Sequence, residues 1–124
     1  QAVCARWKVP SEYAAMAAHA CREHLNVHRL QELRPETVYD LLARLDAFRR
    51  PERVAQLVLI CEADKRGRLG MTEDIYSNGD LLQRCFLAAS SVRAGHLSGN
   101  PTGPAVGEAL RKARIEAIAA AKEA

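Results

Sequence analysis

The chain has 124 residues, of which 48% are apolar and 27% charged, with a formal net charge of +3 and a pI near 8.8. That balance excludes a disordered chain and a strongly basic, self-sufficient nucleic-acid module, and no run of apolar residues is long enough to cross a bilayer. Aromatics make up only 5%, alanine is abundant and alternating β-branched runs are nearly absent, so the expectation is an all-α fold packed through leucines and small side chains.

The chain opens at Gln1 without an initiator methionine, and QAVCARWKVP lacks the apolar core of a signal peptide. A piece of a longer, cytoplasmic protein is expected. Of the four cysteines, Cys4, Cys21, Cys61 and Cys85, no two form a C-x-x-C pair, which argues against a zinc ribbon. The last three sit in apolar helical company and are expected to be buried, reduced thiols.

The first predicted helix runs from about Pro10 to Leu25, with Tyr13, Met16, Ala17, Ala20 and Cys21 at helical spacing. His19, His24 and His28 lie along and just beyond it, and HLNVH sets two imidazoles at i and i+4. Metal binding there needs further ligands, and Glu23 is the one nearby acid, so ordinary surface or interlobe histidines are favoured. The second helix begins at Pro35 and buries Val38, Leu41, Leu42, Leu45 and Phe48.

A third helix starts at Pro51, with Val54, Leu57, Val58 and Cys61 as its stripe and Gly67 as its C-terminal stop. Residues 66–79 read as a long loop. The fourth helix covers about Gly79 to Arg93, with Leu81, Leu82, Cys85, Phe86 and Ala89 inward. GHLSGNPTGP (95–104) is a Gly/Pro hinge, and the fifth helix runs from about Pro104 to Lys122 with Val106, Leu110, Ala113 or Arg114, Ala117 and Ile118 along one side. The resulting array is bundle-like, with five helices in three stretches (1–33, 34–94 and 95–124) and a possible division into two small lobes near 95–103.

Chemistry-bearing motifs are few. No nucleophile elbow, P-loop or dinucleotide fingerprint is present. Between Arg44 and Arg68 the basic residues outnumber the acidic ones by three, which equals the excess of the whole chain. Arg49, Arg50 and Arg53 cluster at one end of the third helix; Lys65, Arg66 and Arg68 cluster at the other. Half of these have structural work available: Glu62 and Arg66 are an i,i+4 pair, and Arg53 is within reach of Asp46 or Asp64. The remainder suit a phosphate backbone. SGNPTGPAVGEAL, ahead of the fifth helix, leaves free N–H groups that favour an anion, or forms a simple hinge.

Three blocks, DAFRRPERVAQL (46–57), CEADKRGRLG (61–70) and GPAVGEALRKARIEAI (103–118), resemble the C-terminal portion of bacterial CCA-adding tRNA nucleotidyltransferases of the HD-domain type. The resemblance implies a parent whose N-terminal catalytic head, absent from this chain, uses Mg2+ to join CTP and ATP to tRNA 3′ ends. For this portion it implies no cofactor, no catalysis and tRNA as partner, held along the acceptor and T arms. The implied contacts are Arg49, Arg50, Arg53, Arg66, Arg68, Gly103, Gly107, Lys112 and Arg114. REHLNVH (22–28) looks like the trailing edge of the HD domain, but Leu25 stands where related chains can carry an aspartate. Two rivals follow: a phosphohydrolase remnant using His24 and His28, and a purely structural or dimerising helical domain.

Overall fold

The computed structural model describes residues 11–69, 76–97, 99 and 101–124, except for the side chains of Ser11, Tyr13, Arg68, Leu69 and His96. Among them are α1 (Ser11–His28), α2 (Pro35–Arg44), α3 (Glu52–Leu69), α4 (Ser77–Ser90) and α5 (Pro104–Glu123). Short 3-10 turns occupy Leu30–Glu32 and Ala94–His96. No strand occurs among the described residues, as the composition predicts.

Each helix forms for a local reason. Pro35 at the first position of α2 has its φ preset and no N–H to lose; Arg34 before it is held extended at φ −70° and ψ 153°. The end of α2 is less obvious from the sequence. Asp46 takes φ 61°, the Asp46 N–H donates to the Ala43 carbonyl at 3.0 Å and the Ala47 N–H to that of Leu42 at 3.1 Å. This is a Schellman closure with aspartate where glycine is usual. It reverses the chain so that Leu45 and Ala47 are both buried.

The helices close around one core. The α1 stripe of Met16, Ala20 and Val27 meets Val54, Leu57, Val58 and Cys61 of α3, and Val38, Leu41 and Leu42 join Leu81, Leu82, Cys85, Phe86 and Ala89 of α4. Ile118 brings α5 into the same cluster, with Val106, Leu110 and Ala117 only half-buried. Lys122 ties the far end of α5 down by donating to the carbonyls of Leu30 at 2.8 Å and Gln31 at 3.2 Å. At Gly79 a Cβ would stand 2.7 Å from the Val58 side chain and 2.8 Å from Tyr76, so α4 passes α3 where a side chain does not fit.

Three expectations need correction. α3 runs through Gly67 to Leu69 and does not stop at the glycine. Gly67 faces open space in ordinary helical backbone, and a lone helical glycine costs only about 1 kcal/mol. Cys21 is exposed, in contrast to the buried Cys61 and Cys85, because α1 rolls its buried stripe onto Met16, Ala20, Glu23 and Val27. α1 also continues past Leu25 to His28. Cys4 and residues 70–75 of the expected loop lie outside the described residues.

Candidate nucleic-acid interface

Phe48 is the point to build from. It sits in the turn after α2, half-buried, with its ring 5.8 Å from those of Tyr39 and Phe86. Across it lies the Arg114 guanidinium of α5, 4.0 Å from the ring centroid, a cation–π contact. The Arg114 Nε is buried and finds no hydrogen-bond partner among the described residues. One turn back, Arg111 stacks over Tyr39 at 5.4 Å and lies 3.7 Å from the Asp40 carboxylate. Lys112 beside them is exposed. The fold thus carries the basic middle of α5 to the turn bearing Arg49 and Arg50, two clusters about sixty residues apart in the chain.

The predicted arginines differ in how far they are committed. The Arg49 side chain is 79% exposed, with only the Asp46 carboxylate 3.6 Å away. Arg50 is half-exposed, 3.6 Å from Glu12. Arg53 is only 11% exposed and is bound fast: its Nε and Nη2 donate to Glu12 at 3.2 and 3.1 Å, and its Nη1 to the Leu45 carbonyl at 3.1 Å. Its partner is therefore Glu12 on α1, where the sequence points to Asp46 or Asp64. Arg66 pairs with Glu62 at 2.7 Å as the spacing predicts. It lies fourteen residues along α3 from Glu52, roughly 21 Å from the Phe48 cluster's end of that helix. The Arg68 side chain is outside the described set. Gly103, at φ 59°, and Gly107 are exposed at the start of α5.

Two polar clusters were missed from sequence. Glu23 is 1% exposed and accepts both Nε and Nη2 of Arg44, at 2.7 and 3.0 Å, and Nδ2 of Asn26 at 3.0 Å. Burial alone would raise its carboxyl, but the Arg44 and Asn26 hydrogen bonds outweigh that and hold it below the usual glutamate range. The same bond raises Arg44. A signal existed: Glu23 occupies the i+7 position of the Met16–Ala20–Val27 stripe, where a lone acid demands a partner.

The second cluster joins α1, α3 and α4. Tyr76 donates its hydroxyl to His28 Nδ1 at 2.6 Å, His28 Nε2 lies 3.2 Å from Asp64 Oδ2, and Asn78 donates to the His28 carbonyl at 2.7 Å. Burial, and then the nearby Asp64, push the Cys61 thiol up to about 12. Tyr76 is raised mainly by burial, with Cys61, Asp64 and Glu62 adding to it. His28 is thus occupied within the fold, and His24 bonds the Ala20 and Cys21 carbonyls of its own helix at 3.2 and 3.0 Å. No group of three or more His, Cys, Asp or Glu able to hold a metal occurs among the described residues.

The chain resembles proteins named multifunctional CCA protein. That of Xanthomonas oryzae pv. oryzae (strain MAFF 311018) is 60% identical over 124 residues, 99% of this chain and 30% of that protein. Those of Stenotrophomonas maltophilia (strain K279a) and Xylella fastidiosa (strain M12) are 57% and 52% identical over 98% of this chain. The chain spans about 30% of the length of these curated relatives. No family model and no solved structure matches.

Proposed function

The chain belongs with the multifunctional CCA proteins as a C-terminal portion of one, and from that premise we propose that it holds tRNA for an enzyme that completes tRNA 3′ ends with CCA. The observation that carries this reading is the Arg114 guanidinium lying over Phe48, which brings the Arg111–Arg114 stretch of α5 to the turn that bears Arg49. Arg49 and Lys112 are exposed on these separate elements, while Arg114 is half-buried over the ring. Arginine and lysine side chains of this kind neutralise phosphates without reading bases, which suits the regular A-form surface of the acceptor and T arms.

In this reading Arg49, Arg50, Lys112 and Arg114 contact the backbone, with the exposed N-terminus of α5 at Gly103 and Gly107 as a further approach. Arg66 and Arg68 supply a second contact along the same duplex. Arg53 serves as a brace, since its donors are spent on Glu12 and Leu45. The parent enzyme's N-terminal head carries the chemistry, joining CTP and ATP to the tRNA with Mg2+ held by its own carboxylates. The C-terminal portion alone is inactive, and the enzyme works in the cytoplasm.

The test is binding of the chain to tRNA at about 50 and about 200 mM salt, with a plain RNA duplex as control, since each phosphate contact adds about one unit to the salt slope. Salt-sensitive binding that favours tRNA is expected. Absence of binding at the lower salt would overturn the proposal, leaving this portion as scaffold.

A further inference from the structure

Arg111 lies three residues before Arg114 on α5, hence beside it and about 4.5 Å back along the helix axis, but takes no part in the tRNA contact proposed above. Its side chain is 50% exposed, its guanidinium stands over the Tyr39 ring at 5.4 Å, and the Asp40 carboxylate is 3.7 Å away. That distance decides what kind of pair this is. Arg53 and Arg44 meet their acids at 3.1 and 2.7 Å, each as a hydrogen-bonded pair with one side largely buried. At 3.7 Å the Arg111–Asp40 contact is longer than a hydrogen bond, and both side chains are half-exposed, so water and salt compete for it. Tyr39 contributes differently. A cation held against a ring face uses up no N–H donor, so the ring places the guanidinium and leaves its donors to an oxygen acceptor. The same arrangement selects the ligand. Single-stranded nucleic acid is held by bases stacking on open aromatic rings, but Phe48 is half-buried beneath Arg114 and Tyr39 lies beneath Arg111. This patch offers a nucleic acid cations, and cations meet phosphate.

Resting on the tRNA reading above, we propose that Arg111 is a further backbone-phosphate contact of the tRNA-bound enzyme, placed by Tyr39 and held near Asp40 until the phosphate replaces that carboxylate. The exchange favours the phosphate for two reasons. A phosphate can come to hydrogen-bond distance and accept two N–H groups of one guanidinium at once, which the Asp40 carboxylate at 3.7 Å does not do. Binding also releases counterions condensed on the RNA, a gain that no carboxylate of the protein provides.

The experiment measures tRNA binding by the whole parent enzyme at about 50 and about 200 mM salt. Arg111→Met keeps an apolar side chain over Tyr39 and removes the charge, so the salt slope should fall by about one and affinity at the lower salt by about threefold or more. Arg111→Lys keeps a cation there and should retain the slope while losing part of the affinity, because an ammonium lacks the planar fork. Asp40→Asn should raise affinity at the lower salt by about twofold, and the gain should vanish when Arg111→Met is already in place. In every variant the buried Cys61 and Cys85 should stay slow toward a maleimide, which reports an intact fold. An unchanged slope in Arg111→Met overturns the contact. Loss of slope in Arg111→Lys as well overturns it in favour of a structural role. A gain from Asp40→Asn that persists without Arg111, or no gain at all, overturns the exchange. Each of these outcomes leaves the tRNA reading standing, because that reading is tested by the isolated portion; a parent that binds no tRNA overturns both.

Discussion

Two faces of the molecule are built on the same core and obey opposite rules. On the α1–α3 face, Leu59, Ile60 and Cys21 are presented around an apolar groove. On the α2–α5 face the aromatic rings of Tyr39 and Phe48 are roofed by Arg111 and Arg114. The first leaves apolar surface bare; the second covers it with cations. The difference is in chemistry: bare aliphatic surface on the first, cations stacked on aromatic rings on the second, and it is the second that the proposed tRNA contact uses. Salt separates them, since apolar burial is insensitive to moderate ionic strength and phosphate contacts are not.

The largest predicted effect removes both faces together. Leu57→Ala deletes a fully buried side chain between α1 and α3 and should cost roughly 2–5 kcal/mol in denaturant unfolding. A loss below about 1 kcal/mol would mean that the core does not support the two faces as one unit.

Next comes the buried ion pair. Arg44→Met leaves Glu23 buried with only Asn26, and a cost of about 3 kcal/mol is expected, the low end of the range because Arg44 is half-exposed. The pH dependence follows from the same contact. Because the folded carboxyl lies below its ordinary 4.5, its contribution is complete above that value and is lost as pH falls through the lower folded one. His19 acts in the same direction at higher pH. Its burial, with Arg22 and then Arg53 nearby, lowers it from 6.5, so stability should already begin to fall below that pH. Thermal unfolding between pH 7 and 3 should show both steps in the unaltered chain. His19→Gln should lose the upper step and Arg44→Met should weaken the lower.

The third prediction separates the faces. Arg49→Ala with Arg114→Met, the methionine keeping cover over Phe48, should lower the salt slope of tRNA binding by about two and weaken affinity at least about tenfold. Thermal stability should move by less than about 1 kcal/mol, and Cys21 reactivity should not change. Arg66→Ala with Arg68→Ala tests the far end of α3 in the same assay. An unchanged slope in either variant removes that pair from the interface.

What could be read from the sequence divides along physical lines. Helix periodicity, Pro35 and Pro104 located the helices, and every residue expected inward on α3 and α4 is buried, because a repeating stripe is a local property. The Glu62–Arg66 pair was legible for the same reason. Glu12 with Arg53, Glu23 with Arg44, and Asp64 with His28 were not. Their partners lie 21 to 41 residues apart, and no local spacing encodes that approach. The arginines were therefore legible as a cluster while their division into braces and free contacts was not. Cys21 failed differently: position 23 took the buried slot, rolling the thiol outward.

The smallest predicted effect sits where the chain turns between the two faces. Asp46 holds φ 61° without glycine's freedom, at a cost of roughly 1 kcal/mol, and recovers part of it through Arg49 at 3.6 Å. Asp46→Gly should relieve the backbone while losing that weak pair, for a net gain of about 0.5 kcal/mol. Asp46→Val keeps the strain and adds a branched Cβ, so it should destabilise by more than about 1 kcal/mol. The glycine variant also releases Arg49 from the Asp46 carboxylate while leaving the Schellman turn in place. If Arg49 meets phosphate, tRNA affinity should rise slightly and the salt slope should steepen; if Asp46 instead aims Arg49 at the RNA, both should fall although the protein is more stable. The opposite movements of stability and binding would then distinguish a residue that shapes the turn from one that shapes the interface.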